Sequence, residues 1–217
     1  MSSEHRGSSG DLPPGWIERL CERLHGLDAT NDSGLVPADH IRRSDIADLL
    51  PSDRPPRPAA VLVPIRIDHA PPRVVLTRRA DHLSTHSGQV GFPGGRIEPD
   101  DSGPVAAALR ESHEEIGLPG DQVRPLGFLD PVPTISGFLV QPVVGLIEAE
   151  FEARLDPGEV AEVFEVPLEF LVRSGSPRRV QAQYRGRLRT WQELVWRNRL
   201  IWGVTAEIIL DLRSRFS

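Results

Sequence analysis

The most informative part of the sequence runs from residue 94 to residue 118. It reads Gly94-Gly95-Arg-Ile-Glu-Pro-Asp-Asp101-Ser-Gly-Pro-Val-Ala-Ala-Ala-Leu-Arg110-Glu111-Ser-His-Glu114-Glu115-Ile-Gly117-Leu118. Small and apolar residues recur there at helical spacing and form one stripe of Val105, Ala108, Leu109, Ser112 and Ile116. Gly117 follows them, and glycine commonly ends a helix. The pattern therefore predicts a helix over residues 104–116.

Three carboxylates of this helix, those of Glu111, Glu114 and Glu115, fall on one side of it. They lie within roughly 100° of arc, on a different face from the apolar stripe. Because like charges this close repel, the helix needs a compensating cation, and carboxylate ligands suit Mg²⁺ or Mn²⁺. A solvated acidic face is the alternative for such a pattern by itself. Gly94 and Gly95 favour the metal site, since glycine lets the backbone approach an ion or a phosphate closely.

Composition excludes several classes of function. The chain has 217 residues and a net charge of −6, and all 25 basic residues are arginine. Without lysine there is neither a Schiff-base lysine nor a P-loop, and the acidic balance argues against non-specific nucleic-acid binding. The single cysteine, Cys21, excludes an intramolecular disulfide and a cysteine-based zinc site. The N-terminus lacks a signal-peptide pattern and no apolar run would span a bilayer, so we expect a cytoplasmic protein that binds neither nucleic acid nor membrane.

The chain divides into an N-terminal extension, residues 1–58, and a domain over residues 59–217. In the extension the pattern predicts an amphipathic helix over 14–27 and allows a short helix at 42–50, before the Pro-rich linker 51–58. In the domain it predicts strands at 59–67, 73–77, 89–92, 125–130 and 138–147, a loop at 156–167, a hairpin of 179–184 and 187–193, and a last helix over 199–215. Strands interleaved with helices indicate one α/β (α+β) domain.

The stretch over residues 95–118 resembles the Nudix box, whose pattern is G-x5-E-x7-R-E-U-x-E-E-x-G-U, with U a bulky aliphatic residue. Its second half, from Arg110 to Leu118, matches except that Ser112 replaces the first aliphatic residue. In the first half Asp101 stands where the pattern has Glu, and eight residues rather than seven separate it from Arg110. We expect an ion pair between Asp101 and Arg110 to tie this loop to the helix.

Flanking runs make the chain similar to one branch of that family, the coenzyme A diphosphatases. The runs are Thr77-Arg78-Arg79, Gln89-Val90-Gly91-Phe92-Pro93-Gly94-Gly95 and Trp202-Gly203-Val204-Thr205-Ala206. The resemblance implies a Nudix fold, in which a mixed β-sheet is sandwiched between α-helices. It also implies divalent-metal-dependent hydrolysis of the diphosphate bond of coenzyme A or its thioesters. The products would be 4′-phosphopantetheine, or its acyl form, and adenosine 3′,5′-bisphosphate.

The same resemblance assigns roles within the box. The implied ligands of Mg²⁺ or Mn²⁺ are three carboxylates and one backbone carbonyl, those of Glu111, Glu114, Glu115 and Gly94. The implied structural residues are Asp101, Arg110, Gly95 and Gly117.

The general base and the substrate contacts remain open at this stage. Candidates for the base are the box carboxylates and two from the predicted loop at 156–167: Glu111, Glu114, Glu159 and Glu162. That loop is equally well interpreted as a solvated acidic turn. Because guanidinium groups bind phosphate bidentately, the candidate phosphate contacts are Arg78, Arg79 and Arg96. His86 and Gln89 are candidate substrate contacts, although a histidine hydrogen-bonded within its own loop is an equally good interpretation.

Two other functions compete with this hypothesis. The first is a Nudix hydrolase with another nucleoside diphosphate derivative as substrate, such as NADH, ADP-ribose or an oxidised nucleoside triphosphate. The second is a non-catalytic nucleotide sensor, which would have no need to retain all three glutamates of the helix. In each case the expected partner is a small molecule, and the N-terminal helix would be available for a homodimer.

Overall fold

A mixed β-sheet lies at the centre of this computed structural model, which describes residues 12–30, 35–36, 50, 55–83, 86–173, 177–184 and 186–217. The strands of this sheet are Arg57–Arg66 (β1), Arg73–Arg79 (β2), Val90–Gly91 (β3), Gly94–Arg96 (β4), Val123–Phe128 (β5), Val132–Pro133 (β6), Phe138–Ile147 (β7) and Val160–Pro167 (β8). A separate antiparallel sheet consists of Arg178–Tyr184 (β9), Arg187–Trp196 (β10) and Arg199–Ile201 (β11). The helices are Trp16–Arg23 (α1), Pro104–Ile116 (α2), Leu168–Arg173 (α3) and Gly203–Ser214 (α4). None of these helices has the length and apolar character needed to cross a membrane.

Strand β1 organises the sheet. It pairs in parallel with β7 along its whole length, from Arg57 opposite Phe138 to Arg66 opposite Ile147. It also pairs antiparallel with β2 and with β4. Strands β5 and β6 add to β7, and β3 and β8 add to β2, all antiparallel. β1 and β7 have long runs of buried apolar residues, as expected for strands that are covered on both faces.

Two hydrophobic cores, one on each face of the sheet, follow from this arrangement. The core beneath α2 includes Ala60, Leu62, Ala107, Ala108, Ile116 and Val143. The core beneath α4 includes Val63, Leu76, Val144, Ile208, Ile209 and Leu212. Neighbouring residues of β1 thus alternate between the cores, as the two-residue period of a strand requires. The mixed sheet between helices confirms the predicted fold class.

Helix α1 of the N-terminal extension packs on the core beneath α4. Leu20 and Leu24 belong to that core, and the ring of Trp16 stacks on that of Phe216 with centroids 6.0 Å apart. Next to them, the N–H of His25 donates to the carbonyl of Phe128, and the N–H of Phe128 donates back. The contacts join the extension to the last helix and to β5.

The structure corrects three predicted elements. Residues 156–167, predicted as a loop, include the whole of β8, and the following helix α3 was not predicted. The last helix begins at Gly203 rather than at residue 199, because residues 199–201 form β11 and pair with β10. The first helix is shorter than predicted and covers residues 16–23. The helix allowed at 42–50 lies outside the described residues, apart from Leu50.

We predict that the extension contributes to the stability of the domain. Replacing Leu20, which is 1% exposed, with Ala should lower the free energy of unfolding by about 2–4 kcal/mol, because it leaves a cavity in the core beneath α4. The matched control is Leu27→Ala, since Leu27 is 47% exposed and its removal should cost less than about 0.5 kcal/mol. Urea unfolding of both variants measures this, and equal stabilities would contradict the prediction.

Candidate active site

Two adjacent glycines bring β4 close to both β1 and α2. At Gly94, where φ is +152°, an added Cβ would lie 2.4 Å from the carbonyl oxygen of Ala60 in β1. At Gly95, an added Cβ would clash with the Glu111 carboxylate of α2. Glycine is therefore required at position 94, where the clash would be with backbone, whereas a side chain at position 95 would displace the Glu111 carboxylate. The absence of a side chain there lets a carboxylate of the helix lie directly against the strand.

Glu115 is the buried carboxylate of the site. Its side chain is on the inner side of α2, 3% exposed, and its Oε2 accepts a hydrogen bond from the N–H of Gly94 at 3.2 Å. Nη1 of Arg79 lies 3.9 Å from its Oε1. Burial raises the pKa of Glu115 to about 8; the Gly94 N–H and Arg79 oppose the rise, and repulsion from Glu159 and Glu111 adds to it.

The three helix carboxylates do not share one environment. Glu111 is largely buried, and burial raises its pKa, although the Arg110 guanidinium acts in the opposite direction. Glu114 is exposed, whereas Glu115 lies among the buried residues of α2, beside Ala108 and Ser112. The prediction that the carboxylates occupy a face separate from the inward stripe is therefore wrong for Glu115.

Arg110 neutralises this acidic surface and confirms the predicted ion pair. Its Nε and Nη2 donate to the two carboxylate oxygens of Asp101 at 3.1 and 3.0 Å. Its Nη1 donates to Glu111 at 3.0 Å and to Glu114 at 3.1 Å, and its Nη2 also reaches the carbonyl of Arg96 at 3.1 Å. The guanidinium lowers the pKa of Asp101. The extra residue between Asp101 and Arg110 therefore leaves their contact intact.

The end of α2 anchors the segment that leads to Glu159. Gly117 adopts a left-handed φ of +69°, and an added Cβ there would lie 3.0 Å from Cβ of Arg154. The N–H groups of Arg154 and Asp156 donate to the carbonyls of Ile116 and Glu115, at 2.9 and 3.0 Å. These bonds bring the following residues toward the site, which is why the charge of Glu159 acts on both Glu111 and Glu115.

Glu162, the other candidate from this segment, has different partners. It lies within β8, where it is paired with Arg78 in register. Its carboxylate accepts hydrogen bonds from two nitrogens of Arg199, and its Oε2 lies 3.7 Å from Nε of Arg78. The structure therefore brings Glu159, but not Glu162, toward the helix carboxylates.

The three candidate phosphate-binding arginines differ in how far they are engaged. Arg78 is held by Asp81 at 2.6 Å, and the guanidinium of Arg96 lies 5.5 Å from the ring centre of Phe138. Arg79 lies beside Glu115, and its buried Nε has no hydrogen-bond acceptor in the described part of the chain. Of the three, Arg79 is the one whose guanidinium lies beside Glu115, and it combines that position with a donor that has no acceptor among the described residues.

His86 and Gln89 contact each other. Nδ1 of His86 lies 2.8 Å from Oε1 of Gln89, and His86 has a left-handed φ of +57°. The carbonyl of Gln89 accepts the N–H of Arg79 at 3.0 Å. His86 is therefore a hydrogen-bonded loop residue in this structure. Gln89, its partner, lies next to β2, the strand that carries Arg79.

The carboxylate oxygens of this site are the kind of ligand that a hard divalent cation prefers. Within the described ranges, no three His, Cys, Asp or Glu side chains are gathered closely enough to hold an ion, and Arg110 holds both Glu111 and Glu114. The charge of Glu111 nevertheless raises the pKa of Glu115, and the charge of Glu114 raises the pKa of Glu111, a cost that a cation between carboxylates would remove. Gly94 faces Glu115 through its N–H rather than through its carbonyl.

Two further residues have roles that the sequence did not reveal. The Thr205 hydroxyl at the start of α4 donates to the carbonyl of Val90 at 3.0 Å. It thereby holds β3, the strand that precedes Pro93-Gly94-Gly95, which we call the glycine turn. Ser112, fully buried, donates to the carbonyl of Ala108 at 2.6 Å, which explains how a polar residue replaces the aliphatic one. Thr205 lies in a motif quoted above, but only its distant partner shows what its hydroxyl does.

Comparison with known proteins shows the family of the chain. A model of the NUDIX domain matches residues 55–186. The chain belongs to the Nudix hydrolase family. Two relatives described as "Uncharacterized Nudix hydrolase NudL" are each 42% identical to this Nudix hydrolase. The one from Enterobacter sp. (strain 638) aligns over 158 residues, 72% of this chain and 81% of that protein. The one from Pectobacterium atrosepticum aligns over 187 residues, 82% of this chain and 94% of that protein.

Solved structures include similar chains. A MutT/nudix family protein from Enterococcus faecalis superposes with a TM-score of 0.49 and 20% identity, covering 76% of this Nudix hydrolase and 64% of that chain. An Ap4A hydrolase from C. elegans superposes with a TM-score of 0.45 and 20% identity, covering 51% of this chain and 80% of that one.

We predict that the ion pair of Asp101 with Arg110 gives this Nudix hydrolase a pH-dependent part of its stability. Asp101→Asn should lower the free energy of unfolding by about 2 kcal/mol at pH 7, because a charge-assisted, bidentate contact is lost. The pKa of Asp101 is lowered in the folded state, so its contribution is present above about pH 4 and is lost as the pH falls through the folded value.

Urea unfolding of the wild type and the variant at a series of pH values measures this effect. The difference in the free energy of unfolding between the wild type and Asp101→Asn should become smaller as the pH falls below about 4. Asp121→Asn, at an exposed position, is the control and should behave like the wild type. If the difference between the two free energies of unfolding stays constant down to pH 2, Asp101 does not act through its charge.

Proposed function

We propose that this Nudix hydrolase cleaves the diphosphate bond of coenzyme A or its thioesters, with Mg²⁺ or Mn²⁺ as cofactor. The products would be 4′-phosphopantetheine, or its acyl form, and adenosine 3′,5′-bisphosphate. The observation that carries the proposal is the meeting of three sequence runs at β3. The hydroxyl of Thr77 donates to the carbonyl of Gly91, and the hydroxyl of Thr205 donates to the carbonyl of Val90. All three runs that resemble the coenzyme A branch thus converge beside the glycine turn.

The residues proposed to hold the metal are those of the glycine turn and α2: Glu111, Glu114, Glu115 and the carbonyl of Gly94. When bound, the metal supplies Lewis acidity toward phosphate oxygens and lowers the pKa of a water molecule. Arg110 would share Glu111 and Glu114 with the cation, while it keeps Asp101 and the carbonyl of Arg96 as partners.

We assign the role of general base to Glu159. It is exposed and directly precedes β8, and its charge raises the pKa of both Glu111 and Glu115. Its backbone is held in place, because its carbonyl accepts the N–H of Ala80 at 2.9 Å. An exposed carboxylate beside the site can take a proton from the attacking water and pass it to solvent. Glu111 and Glu114 are less suited to this role, since both accept hydrogen bonds from Arg110.

Arg79 is proposed to bind a phosphate oxygen of the substrate. Its guanidinium is next to Glu115, and its buried Nε has no acceptor among the described residues. A guanidinium with unused donors matches the geometry of a phosphate oxygen pair. Arg79 would thereby orient the diphosphate toward the carboxylates, with Arg78, Arg96, His86 and Gln89 as further candidates for contact.

A substrate screen tests the proposed function. We expect the full chain with Mn²⁺ or Mg²⁺ to convert coenzyme A into two products, which chromatography resolves as 4′-phosphopantetheine and adenosine 3′,5′-bisphosphate. NADH, ADP-ribose and an oxidised nucleoside triphosphate are the comparison substrates, each measured as kcat/KM. A higher kcat/KM for any of these than for coenzyme A and its thioesters would overturn the assignment of substrate and favour the alternative Nudix activity.

Variants of Glu159 and Glu162 test the assignment of the general base. Glu159→Gln should lower kcat by about 10²–10⁴-fold, because it removes the proton acceptor without changing the shape of the side chain. Glu162→Gln, three residues along the chain, is the matched control and should keep kcat near the wild-type value, since Glu162 contacts Arg199 and Arg78 instead. Steady-state rates with coenzyme A measure both. A larger loss in the Glu162 variant would contradict the assignment.

A further inference from the structure

A cavity of about 380 Å³ lies beside β8, apart from the carboxylates described above. Its walls come from β2, from β8 and from the turn between β10 and β11. Its size falls in the range of about 300–1,000 Å³ that is usual for small-molecule sites. Four arginines and one glutamate are among the lining residues, namely Arg66, Arg73, Arg197, Arg199 and Glu165. The cavity therefore has an excess of positive charge in a protein whose net charge is negative.

This cavity is distinct from the active site. Arg73 lines the cavity at one end of β2, whereas Arg79, beside Glu115, is at the other end of the same strand. The two residues are six positions apart along the extended strand, a distance of about 20 Å. The residues that line the cavity include neither Glu159 nor any of the three glutamates of α2.

Two of the four arginines are already engaged by acidic side chains. Arg66 donates to both oxygens of Asp68 and to Oε1 of Glu165, the latter at 2.6 Å. Arg199 donates to the carboxylate of Glu162. These two guanidinium groups form part of the wall and have little donor capacity left for a ligand.

The other two arginines have unused donors. The Nε of Arg73 is buried and has no hydrogen-bond acceptor among the described residues, and the nearest acidic oxygen, Oε2 of Glu165, is 3.8 Å away. Arg197 makes no hydrogen bond or ion pair with any described residue; its guanidinium lies 5.6 Å from the ring centre of Trp196. A planar guanidinium with free donors is the protein group best suited to a phosphate.

The backbone of Arg197 adopts a conformation that is uncommon for residues other than glycine. Arg197 and Asn198 form the two-residue turn between the paired residues Trp196 and Arg199. The φ of Arg197 is +55°, a conformation for which glycine is the usual residue in such turns. Residues held in unfavourable backbone conformations are concentrated at ligand-binding and active sites.

Aromatic rings complete the walls of the cavity. Phe151, Phe164 and Trp196 line it, and the ring of Trp196 is supported by Phe170 behind it, with centroids 4.7 Å apart. Flat apolar rings next to guanidinium groups match a ligand that has a planar ring joined to an anion.

We propose that this cavity is a second ligand site that binds a nucleoside phosphate. The guanidinium groups of Arg73 and Arg197 contact the phosphate, and the rings of Trp196 and Phe164 contact the base. The site is independent of the hydrolysis of the diphosphate at the carboxylates.

Calorimetric titration of the full chain with AMP, in EDTA so that no divalent metal is present, tests this proposal. Arg197→Gly removes the guanidinium and relieves the positive φ, so it should weaken AMP binding by about tenfold or more without lowering Tm. Arg73→Gln should weaken it to a similar extent. The control is Arg124→Gln. Arg124 is an exposed residue of β5 that pairs with Glu148, and its variant should bind AMP like the wild type. Wild-type affinity in both cavity variants, or no AMP binding by the wild type, would overturn the proposal.

Two simpler ligands separate the contributions of phosphate and base. Ribose 5-phosphate and inorganic phosphate should bind more weakly than AMP, and the Arg197→Gly and Arg73→Gln changes should weaken them too. Equal affinity for AMP and ribose 5-phosphate would show that the rings do not contact a base, which contradicts the proposed ligand. The readout is binding without metal, so failure of coenzyme A hydrolysis would leave this result unaffected.

Discussion

The arrangement of the site depends on the burial of one carboxylate, that of Glu115, against the backbone of β4. A buried charge is costly unless neighbouring groups compensate it, and here the Gly94 N–H at 3.2 Å and Arg79 at 3.9 Å provide that compensation. The contact requires β4 to lie close to both β1 and α2, and at position 94 this requires glycine because an added Cβ would meet the backbone of β1. The remaining raised pKa of Glu115 shows that the compensation is incomplete in the protein alone.

Electrostatic repulsion across α2 explains the position of Arg110. Three carboxylates on neighbouring turns destabilise a helix, and Arg110 offsets this by contacting Glu111 and Glu114 while Asp101 holds its other edge. The acidic protein can therefore carry a concentrated negative site without losing the fold. Its net charge of −6 argues only against attraction of polyanions over the whole surface, because individual arginines and a cation can bind a phosphate in a protein of any net charge.

Local patterns were sufficient for much of the fold. The helix over residues 104–116, the strand over 138–147 and the pairing of Asp101 with Arg110 follow from periodicity and from the box motif, whose members are near one another in sequence. β8 was missed because its two glutamates, Glu162 and Glu165, are three residues apart, so that the two-residue period of a strand is not apparent beside the Pro-Gly turn. β11 was assigned to the last helix because a three-residue strand has no periodicity of its own and depends on its partner β10.

The sequence by itself determined the family, the acidic helix and the set of residue types available for chemistry, since these are properties of consecutive residues. Only the tertiary structure decided which members of that set act together. It buried Glu115 while leaving Glu114 exposed, and it directed Glu162 to Arg199 while bringing Glu159 toward the helix. The physical reason is that burial and ion pairing depend on neighbours that are far apart in the chain. Arg79 and Glu115, or Val90 and Thr205, meet only when the sheet and its two layers of helices have assembled.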